Sequence, residues 1–159
     1  AAQLHVRAPR PPPRRAASPQ EGIMNFHLGR LIDHVHLVVA DLDLSKRFYR
    51  AVLQSLGRDL SGEGDGYFFA DELFVSDAEG GPASHVHVAF QAPDRDTVQR
   101  FHAAALAAGG RNNGAPGERH YHPGYYAAFV RDPDGNNIEA VDHGPARRSA
   151  ASVVVTPGE

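Results

Sequence analysis

The sequence predicts an α+β fold of two tandem βαβββ modules, which form a curved sheet cleft with the helices on the outer face. Three observations carry this prediction: an ungapped internal repeat, a strand followed by a helix at the start of each copy, and short strand candidates after each helix. A length of 159 residues suits one compact domain, or two small halves that share a core.

The internal repeat aligns the segment that starts at His34 with the segment that starts at His87, an offset of 53 residues. Nine of 24 aligned positions are identical, and the alignment needs no gap. The identical pairs are His34 with His87, Val35 with Val88, Asp41 with Asp94, Asp43 with Asp96, Arg47 with Arg100, Phe48 with Phe101, Ala51 with Ala104, Leu53 with Leu106 and Gly57 with Gly110. The chain therefore contains two copies of one structural unit.

Each copy opens with a strand at residues 34–39 or 85–90, where apolar side chains occupy every second position. Apolar residues then recur at helical spacing, and glycines after each stretch predict where the helices end. The candidate N-caps are Asp41 or Asp43 for the first helix and Asp94 or Asp96 for the second.

Short strands are predicted after each helix. In the first copy they cover residues 67–70 and 73–76, and in the second copy residues 125–131 and 137–141. Residues 132–136, with the sequence DPDGN, join the last two strands and are typical of a tight hairpin. The segments between these elements are expected to be loops that set specificity, namely 58–66, 76–84 and 111–124.

The two ends of the chain differ from the repeat in composition. Residues 1–30 contain a proline run and five arginines without a periodic apolar face, which predicts a disordered N-terminal extension. This stretch lacks the apolar core of a secretory signal, so we expect a cytoplasmic protein. Residues 145–159 are predicted to be a C-terminal tail, in which residues 153–155 could add an edge strand.

Between these ends, residues 31–144 form the predicted domain, with module one at 31–83 and module two at 84–144. This region carries nine basic and seventeen acidic side chains, which argues against a nucleic-acid partner. Its longest aliphatic stretch, residues 37–40, is too short to cross a membrane. The chain has ten histidines and no cysteine, so any metal ligands must be imidazole, carboxylate or water oxygen.

Strand alternation indicates which histidines share a face. His34 and His36 point away from the side that the first helix covers, and His85 and His87 do the same in the second copy. If the copies pair about a pseudo-twofold axis, His34 and His87 meet, and Glu139 on the last strand reaches the same point. Two imidazoles and a carboxylate form a three-ligand site suited to Zn, Ni, Co, Mn or Fe.

The motifs resemble those of the vicinal oxygen chelate superfamily over residues 31–144. The superfamily includes glyoxalase I, methylmalonyl-CoA epimerase, extradiol dioxygenases, fosfomycin-resistance thiol transferases and bleomycin-binding proteins. The matching segments are Ile32-Asp33-His34-Val35, His87-Val88-Ala89-Phe90 and Asp132-Pro133-Asp134-Gly135-Asn136-Asn137-Ile138-Glu139. By position, the resemblance places the family's metal ligands on the same three residues. Glyoxalase I and the epimerase usually add a fourth ligand, for which Glu72 lies nearby, although Phe74 is the other candidate equivalent.

The resemblance implies a divalent-metal-dependent, glyoxalase-like enzyme of lyase or isomerase type. Such an enzyme chelates a small oxygen-rich substrate and stabilises an enolate-like intermediate. Glu139 or a neighbouring histidine would carry the proton. His122 and Tyr126 are candidate catalytic residues in an aromatic loop, while His36, His85 and Arg111 are candidates to orient ligands or substrate.

Three alternatives stay open at this point. The chain could be a non-catalytic small-molecule or antibiotic-binding resistance protein, or a thiol transferase. It could also be an extradiol-type dioxygenase, because His122, Pro133, Gly135 and Glu139 match that motif. Phe129, however, stands where those enzymes have a tyrosine. A homodimer is the family expectation, and the two modules could close on each other or exchange with a second chain.

Overall fold

A computed structural model describes residues 28–29 and 31–156. Each module follows the order strand, helix and three strands, so the two βαβββ modules and the α+β class are confirmed. The elements are β1 (Val35–Val39), α1 (Leu42–Ser55), β2 (Gly62–Gly64), β3 (Tyr67–Ala70), β4 (Leu73–Asp77), β5 (His87–Gln91), α2 (Arg95–Ala107), β6 (Arg111–Glu118), β7 (Tyr126–Arg131) and β8 (Asn137–Asp142).

The strands form two separate four-stranded sheets of identical topology. Sheet 1 has the order β1-β4-β3-β2 and sheet 2 has the order β5-β8-β7-β6. The first strand of each module pairs in parallel with its last strand, and the remaining pairs are antiparallel. Both sheets are open rather than curled into a closed cleft, so β1 and β5 are edge strands.

The helix ends follow the predicted signals. Asp41 caps α1 and its carboxylate accepts a hydrogen bond from the Leu44 amide, while Asp94 caps α2 in the same way. Hydrogen bonds from the side chain and backbone of Thr97 hold the pKa of the Asp94 carboxyl below its ordinary value. Gly57 follows α1 with a φ of 76°, a backbone conformation that favours glycine.

One core joins the two modules. The helices pack against each other, α1 also contacts β4, and α2 contacts β6, β7 and β8. The helix-facing side of each sheet contributes the strand residues of this core. The opposite side, which we call the open face of each sheet, carries the remaining half of the strand side chains, including His36 and Glu139.

The DPDGN hairpin at residues 132–136 fastens module two to module one. The Tyr49 hydroxyl of α1 donates to Asp132 at 2.7 Å, and the Asn136 backbone and side chain donate to the same carboxylate at 2.7 and 2.9 Å. The side-chain oxygen Oδ1 of Asn136 accepts from the backbone amide of Val86, just before β5, which ties the hairpin to that strand. Asp134 accepts hydrogen bonds from the start of α1. This turn is therefore a buried junction between modules.

Two strands lie where the sequence predicts loops. β2 contains two glycines in three residues, and β6 contains Gly114, Pro116 and Gly117, so neither shows apolar alternation. The register of β6 on β7 also shifts twice, which removes the period of two on which strand prediction depends.

The predictions for the chain ends have different outcomes. Residues 145–156 contain no strand, and the valines at 153–155 are exposed. The predicted extension at 1–30 lies outside the described residues except for 28 and 29. None of the helices in the described part of the chain combines the length and the apolar character that a membrane crossing requires.

Candidate functional site

Glu139 is a buried carboxylate on the open face of sheet 2. It pairs in register with Ala89 of β5 and Phe129 of β7, and only 2% of its surface is exposed. Its Oε2 atom lies 2.9 Å from Nε2 of His87, and its Oε1 atom accepts a 2.7 Å hydrogen bond from the Tyr125 hydroxyl. The predicted proximity of His87 and Glu139 is therefore present within one chain.

Tyr125 is a site residue that sequence reasoning missed. Burial, and then the hydrogen bond to Glu139, raise the pKa of its hydroxyl well above the ordinary value. The hydroxyl therefore stays protonated near neutral pH and donates to the carboxylate. Counting back in steps of two from Phe129, the neighbour of Glu139 in register, would have identified Tyr125.

Tyr126, the residue predicted from the sequence, lies on the other side of sheet 2. Its ring lies under the Arg95 guanidinium at 4.9 Å, and its hydroxyl accepts a hydrogen bond from Gln99. Both partners belong to α2, so Tyr126 packs on the helix-facing side and Tyr125 takes its place beside Glu139.

His122 reaches the site through Tyr125. Nε2 of His122 lies 2.9 Å from Nδ1 of His143, and the two imidazole rings stack. Both rings contact the Tyr125 ring edge to face, with centroids 5.2 and 5.1 Å away. His143 had no predicted role because it follows the last strand, where no periodic pattern assigns a face. The stacked rings of His122 and His143 therefore pack against Tyr125, whose hydroxyl donates to Glu139.

His34 and His36 occupy the open face of sheet 1. They line a cavity of about 300 Å³ together with Phe69, Asp71 and Phe74. Nδ1 of His34 lies 2.7 Å from Asp33, and the His36 ring contacts Phe74 edge to face at 5.0 Å. This half of the molecule combines exposed imidazoles with an aromatic surface.

The strand registers identify which residue of module one corresponds to Glu139. The repeat aligns His36 with Ala89, and their partners on the neighbouring strands are Phe74 and Glu139. Glu72 lies two residues before Phe74 in the exposed turn before β4. Phe74 is therefore the module-one equivalent of Glu139, and module one places no carboxylate at that position.

The other two predicted residues are exposed. His85 precedes β5, and Arg111 begins β6 opposite Arg131, close to Gly135 of the hairpin. Arg119, which the sequence did not single out for a role, stacks its guanidinium on the Phe129 ring at 5.2 Å and donates to the carbonyl oxygens of Ala115 and Ala127. Arg119 therefore covers part of the open face of sheet 2, over Phe129, which is the register neighbour of Glu139.

The His87 and Glu139 pair has the donor atoms and the spacing that a divalent metal needs. Two ligands with bonds of roughly 2.1 Å have donor atoms about 3.0 Å apart at a right angle and about 3.4 Å apart at the tetrahedral angle, and this pair, at 2.9 Å, matches the right-angled arrangement. Among residues 28–29 and 31–156, no three histidine or acidic side chains gather into one metal-binding group. His34 lies on sheet 1 and does not join the pair within the chain.

Comparison with known proteins agrees with this architecture. Residues 31–140 match the model of the Glyoxalase/Bleomycin resistance protein/Dioxygenase superfamily. A glyoxalase/bleomycin resistance protein from Albidiferax ferrireducens T118 is 34% identical, with a TM-score of 0.59 over 69% of this chain and 95% of that one. A search of curated proteins found no match to the chain.

More distant structures share the fold alone. A lactoylglutathione lyase from Agrobacterium tumefaciens is 22% identical, with a TM-score of 0.53 over 70% of this chain and 92% of that one. A glyoxalase/bleomycin resistance protein/dioxygenase family enzyme from Burkholderia phytofirmans PsJN is 20% identical, with a TM-score of 0.54 over 69% and 96%. The matched family model, the 34% identical structure and the paired modules lead to one conclusion: the chain belongs to the Glyoxalase/Bleomycin resistance protein/Dioxygenase superfamily.

Proposed function

We propose that this protein is a divalent-metal-dependent enzyme of the glyoxalase type, a lyase or isomerase that acts on a small oxygen-rich substrate. The observation that carries the proposal is the Glu139 carboxylate, which is 2% exposed yet faces the side of the sheet that the helices leave free. Burying a carboxylate is costly unless a cation or several donors compensate it. Its position beside His87 supports a metal-binding and proton-transfer role.

We propose that His87 and Glu139 hold the metal together with His34 of a second copy. The support is the division of the site within one chain: the carboxylate and one imidazole lie on sheet 2, while His34 and its aromatic surroundings lie on sheet 1. A homodimer in which sheet 1 of one copy faces sheet 2 of the other would cover both open faces and complete the three-ligand set.

The chain's own residues have distinct roles in this mechanism. A bound divalent ion would act as a Lewis acid on adjacent substrate oxygens and stabilise enolate-like charge. Glu139 would take the proton from the substrate carbon and return it, since it is the carboxylate on this open face and general acid-base transfer needs such a group within reach of the substrate. Tyr125 is a positioning residue whose hydroxyl fixes one carboxylate oxygen, and the rings of His122 and His143 hold that tyrosine in place.

Metal binding is the first test. The metal content of protein purified without chelator should be measured, followed by thermal unfolding with Ni, Zn, Mn or Co added. We expect at least one ion to raise the melting temperature and His87→Ala to abolish that rise. His102→Ala is the matched control, because His102 sits on α2 and hydrogen bonds to Asn112. A chain that gains no thermal stability from any of the four ions would contradict the proposal.

Mixing two inactive variants tests the shared site. His34→Ala and His87→Ala should each lose metal binding as homodimers. A heterodimer purified through two different tags should regain one of its two sites, because one intact His34 then faces one intact His87 and Glu139 pair. A heterodimer that binds no metal would show that the ligands do not come from two chains.

Two of the sequence alternatives receive unequal support. The aromatic cavity of about 300 Å³ on sheet 1 favours a non-catalytic small-molecule binding protein as the second candidate. That candidate predicts ligand binding without any metal dependence, so the metal measurement separates the two. The extradiol-type dioxygenase has less support, because Phe129 beside Glu139 has no hydroxyl. Cytoplasmic location and dimeric state stay predictions.

A further inference from the structure

A second cavity lies on the open face of sheet 2, next to the proposed catalytic carboxylate. Its volume is about 270 Å³. Tyr125 lines it and donates to Glu139 at 2.7 Å, and Ala89, which also lines it, is the register partner of Glu139. A small molecule in this cavity would therefore lie within reach of the Glu139 site.

The cavity has a cationic end formed by Arg148. This residue belongs to the irregular segment after β8, and its guanidinium donates to the side-chain oxygen of Gln91 at the end of β5. A guanidinium offers five N–H donors, and a single amide oxygen leaves most of them available. In the part of the chain that the structure describes, none of the ion pairs involves Arg148.

The rest of the cavity is neutral or donor-rich. Ala89, Val141 and Leu28 supply apolar walls, and His143 lies beside Tyr125 at the end nearer Glu139. The nearest acid in the sequence, Asp142, belongs to the opposite face of β8, since strand side chains alternate, and its carboxylate accepts from the Gly144 amide. Among the described residues that line it, the cavity thus presents one positive charge and no carboxylate.

We infer that this cavity is the substrate's anion subsite, in which Arg148 binds a carboxylate or phosphate group of a small substrate whose reacting carbons lie toward Glu139. The inference rests on the proposed function and adds the substrate class, an oxygen-rich organic anion. Arg111, the arginine that the sequence offers as a candidate to orient substrate, lies at the start of β6 by the hairpin and does not line this cavity. Guanidinium groups match the geometry of both anions.

The test compares charged and neutral probes on the intact protein. Binding of pyruvate, its neutral methyl ester and inorganic phosphate should be measured by NMR titration, in chelator and again with Ni. In chelator, we expect pyruvate or phosphate to bind about 10-fold more tightly than the ester, and Arg148→Gln to remove that preference. With Ni, the metal itself attracts the anions, so Arg148→Gln should lower their affinity without abolishing the preference. A preference for pyruvate identifies the group as carboxylate, and a preference for phosphate identifies it as phosphate.

Two matched variants keep the outcome decisive. Arg147→Gln removes the adjacent charge, which does not line the cavity, and Arg111→Gln removes the cation favoured by sequence. Both should bind the anions as the unmodified protein does. Equal binding of the ester, or equal losses in Arg148→Gln and Arg147→Gln, would overturn the inference. The titration in chelator needs no metal. If metal ions fail to raise the melting temperature but Arg148→Gln still removes the preference for anions, the proposed function is contradicted and the anion subsite is not.

Discussion

The two modules have the same topology but present different chemistry on their open faces. His36 and Phe74 are register partners in module one, and the corresponding register partners in module two are Ala89 and Glu139. Both copies keep a histidine just before or at the start of the first strand, His34 and His87. The repeated scaffold therefore supplies an imidazole twice and a buried carboxylate once, so each module holds part of the proposed site.

The modules also differ at the turn before the last strand. In module two, residues 132–136 are tied to Tyr49 of α1 by a buried hydrogen-bond network. In module one, the corresponding turn at Asp71 and Glu72 is exposed, and Asp71 has a φ of 46°. One turn holds the modules together, whereas the other only reverses the chain.

The largest expected effect is on the buried turn. Asp132→Ala leaves the Tyr49 hydroxyl and both the backbone and side-chain donors of Asn136 without their acceptor, and three buried unsatisfied donors should cost about 3 to 5 kcal/mol. Chemical denaturation measures the loss. Glu72→Ala in the exposed turn is the control and should change stability by less than about 0.5 kcal/mol. Similar losses in the two variants would remove the distinction between the turns.

The second largest effect is expected from the Tyr125 hydroxyl, whose carboxylate partner Glu139 has no counterpart in module one. Tyr125→Phe removes the hydrogen bond to Glu139 and keeps the ring that packs on His122 and His143. Loss of such a partner to a metal ligand typically weakens metal binding about 10- to 100-fold. Calorimetry with Ni or Zn would measure the affinity.

Tyr67→Phe tests whether that effect is specific to module two. Tyr67 stacks on Phe74, which stands in sheet 1 at the position that Glu139 occupies in sheet 2, so that position offers its hydroxyl no carboxylate. We expect unchanged metal affinity. If both tyrosine variants weaken metal binding equally, the hydroxyl of Tyr125 has no special role.

Much of this contrast could be predicted from the sequence, because the period of two in strands separates the faces of β1, β5 and β8. His87 and Glu139 meet as that pattern predicts. The sequence offers Tyr126 as part of an aromatic loop without a strand face, and the structure places it at the start of β7 on the helix-facing side, one residue away from the face that Tyr125 occupies. Counting from Glu139 across the sheet, rather than from the loop, gives the correct face.

Other parts of the site had no local pattern. His143 and Arg148 follow the last strand, in a segment without periodicity, so only the folded chain brings them to Tyr125 and Gln91. The separation of His34 from the His87 pair also depends on how the two sheets are arranged, which alternation within single strands does not encode. Sequence patterns therefore predict which face of a strand a residue occupies, whereas tertiary packing determines which strand faces form one site.

Raising the pH above 10 should have a smaller effect on the free energy of unfolding, through Tyr49 at the junction between the modules. Burial first, and then the Asp132 charge, raise the pKa of Tyr49 well above the ordinary value of about 10. The folded state therefore holds this proton more tightly than the unfolded state. The resulting stability is present below pH 10 and is lost as pH rises above it. Tyr49→Phe should cost about 1 to 2 kcal/mol at neutral pH and should lose less stability above pH 10.

Denaturation at several pH values gives the free energy of unfolding as a function of pH, and its slope above pH 10 should be smaller for Tyr49→Phe than for the unmodified protein. Some slope should remain in Tyr49→Phe, because the raised pKa of Tyr125 acts in the same direction. Parallel curves for the two proteins above pH 10 would mean that the hydroxyl of Tyr49 is not what couples the junction to pH.

The smallest effect is on the exposed turn of module one. Module two places Gly135 at the positive-φ position of its turn, with a φ of 93°, whereas module one places Asp71 there. Asp71→Gly should relieve the left-handed conformation and stabilise the protein by about 0.5 to 1 kcal/mol in denaturation experiments. Glu72→Gly is the matched control with the opposite sign, since its φ is not positive and glycine there only adds entropy to the unfolded chain. If Asp71→Gly destabilises instead, the Asp71 side chain stabilises the cavity that it lines with His34, and the turn of module one belongs to the site as well.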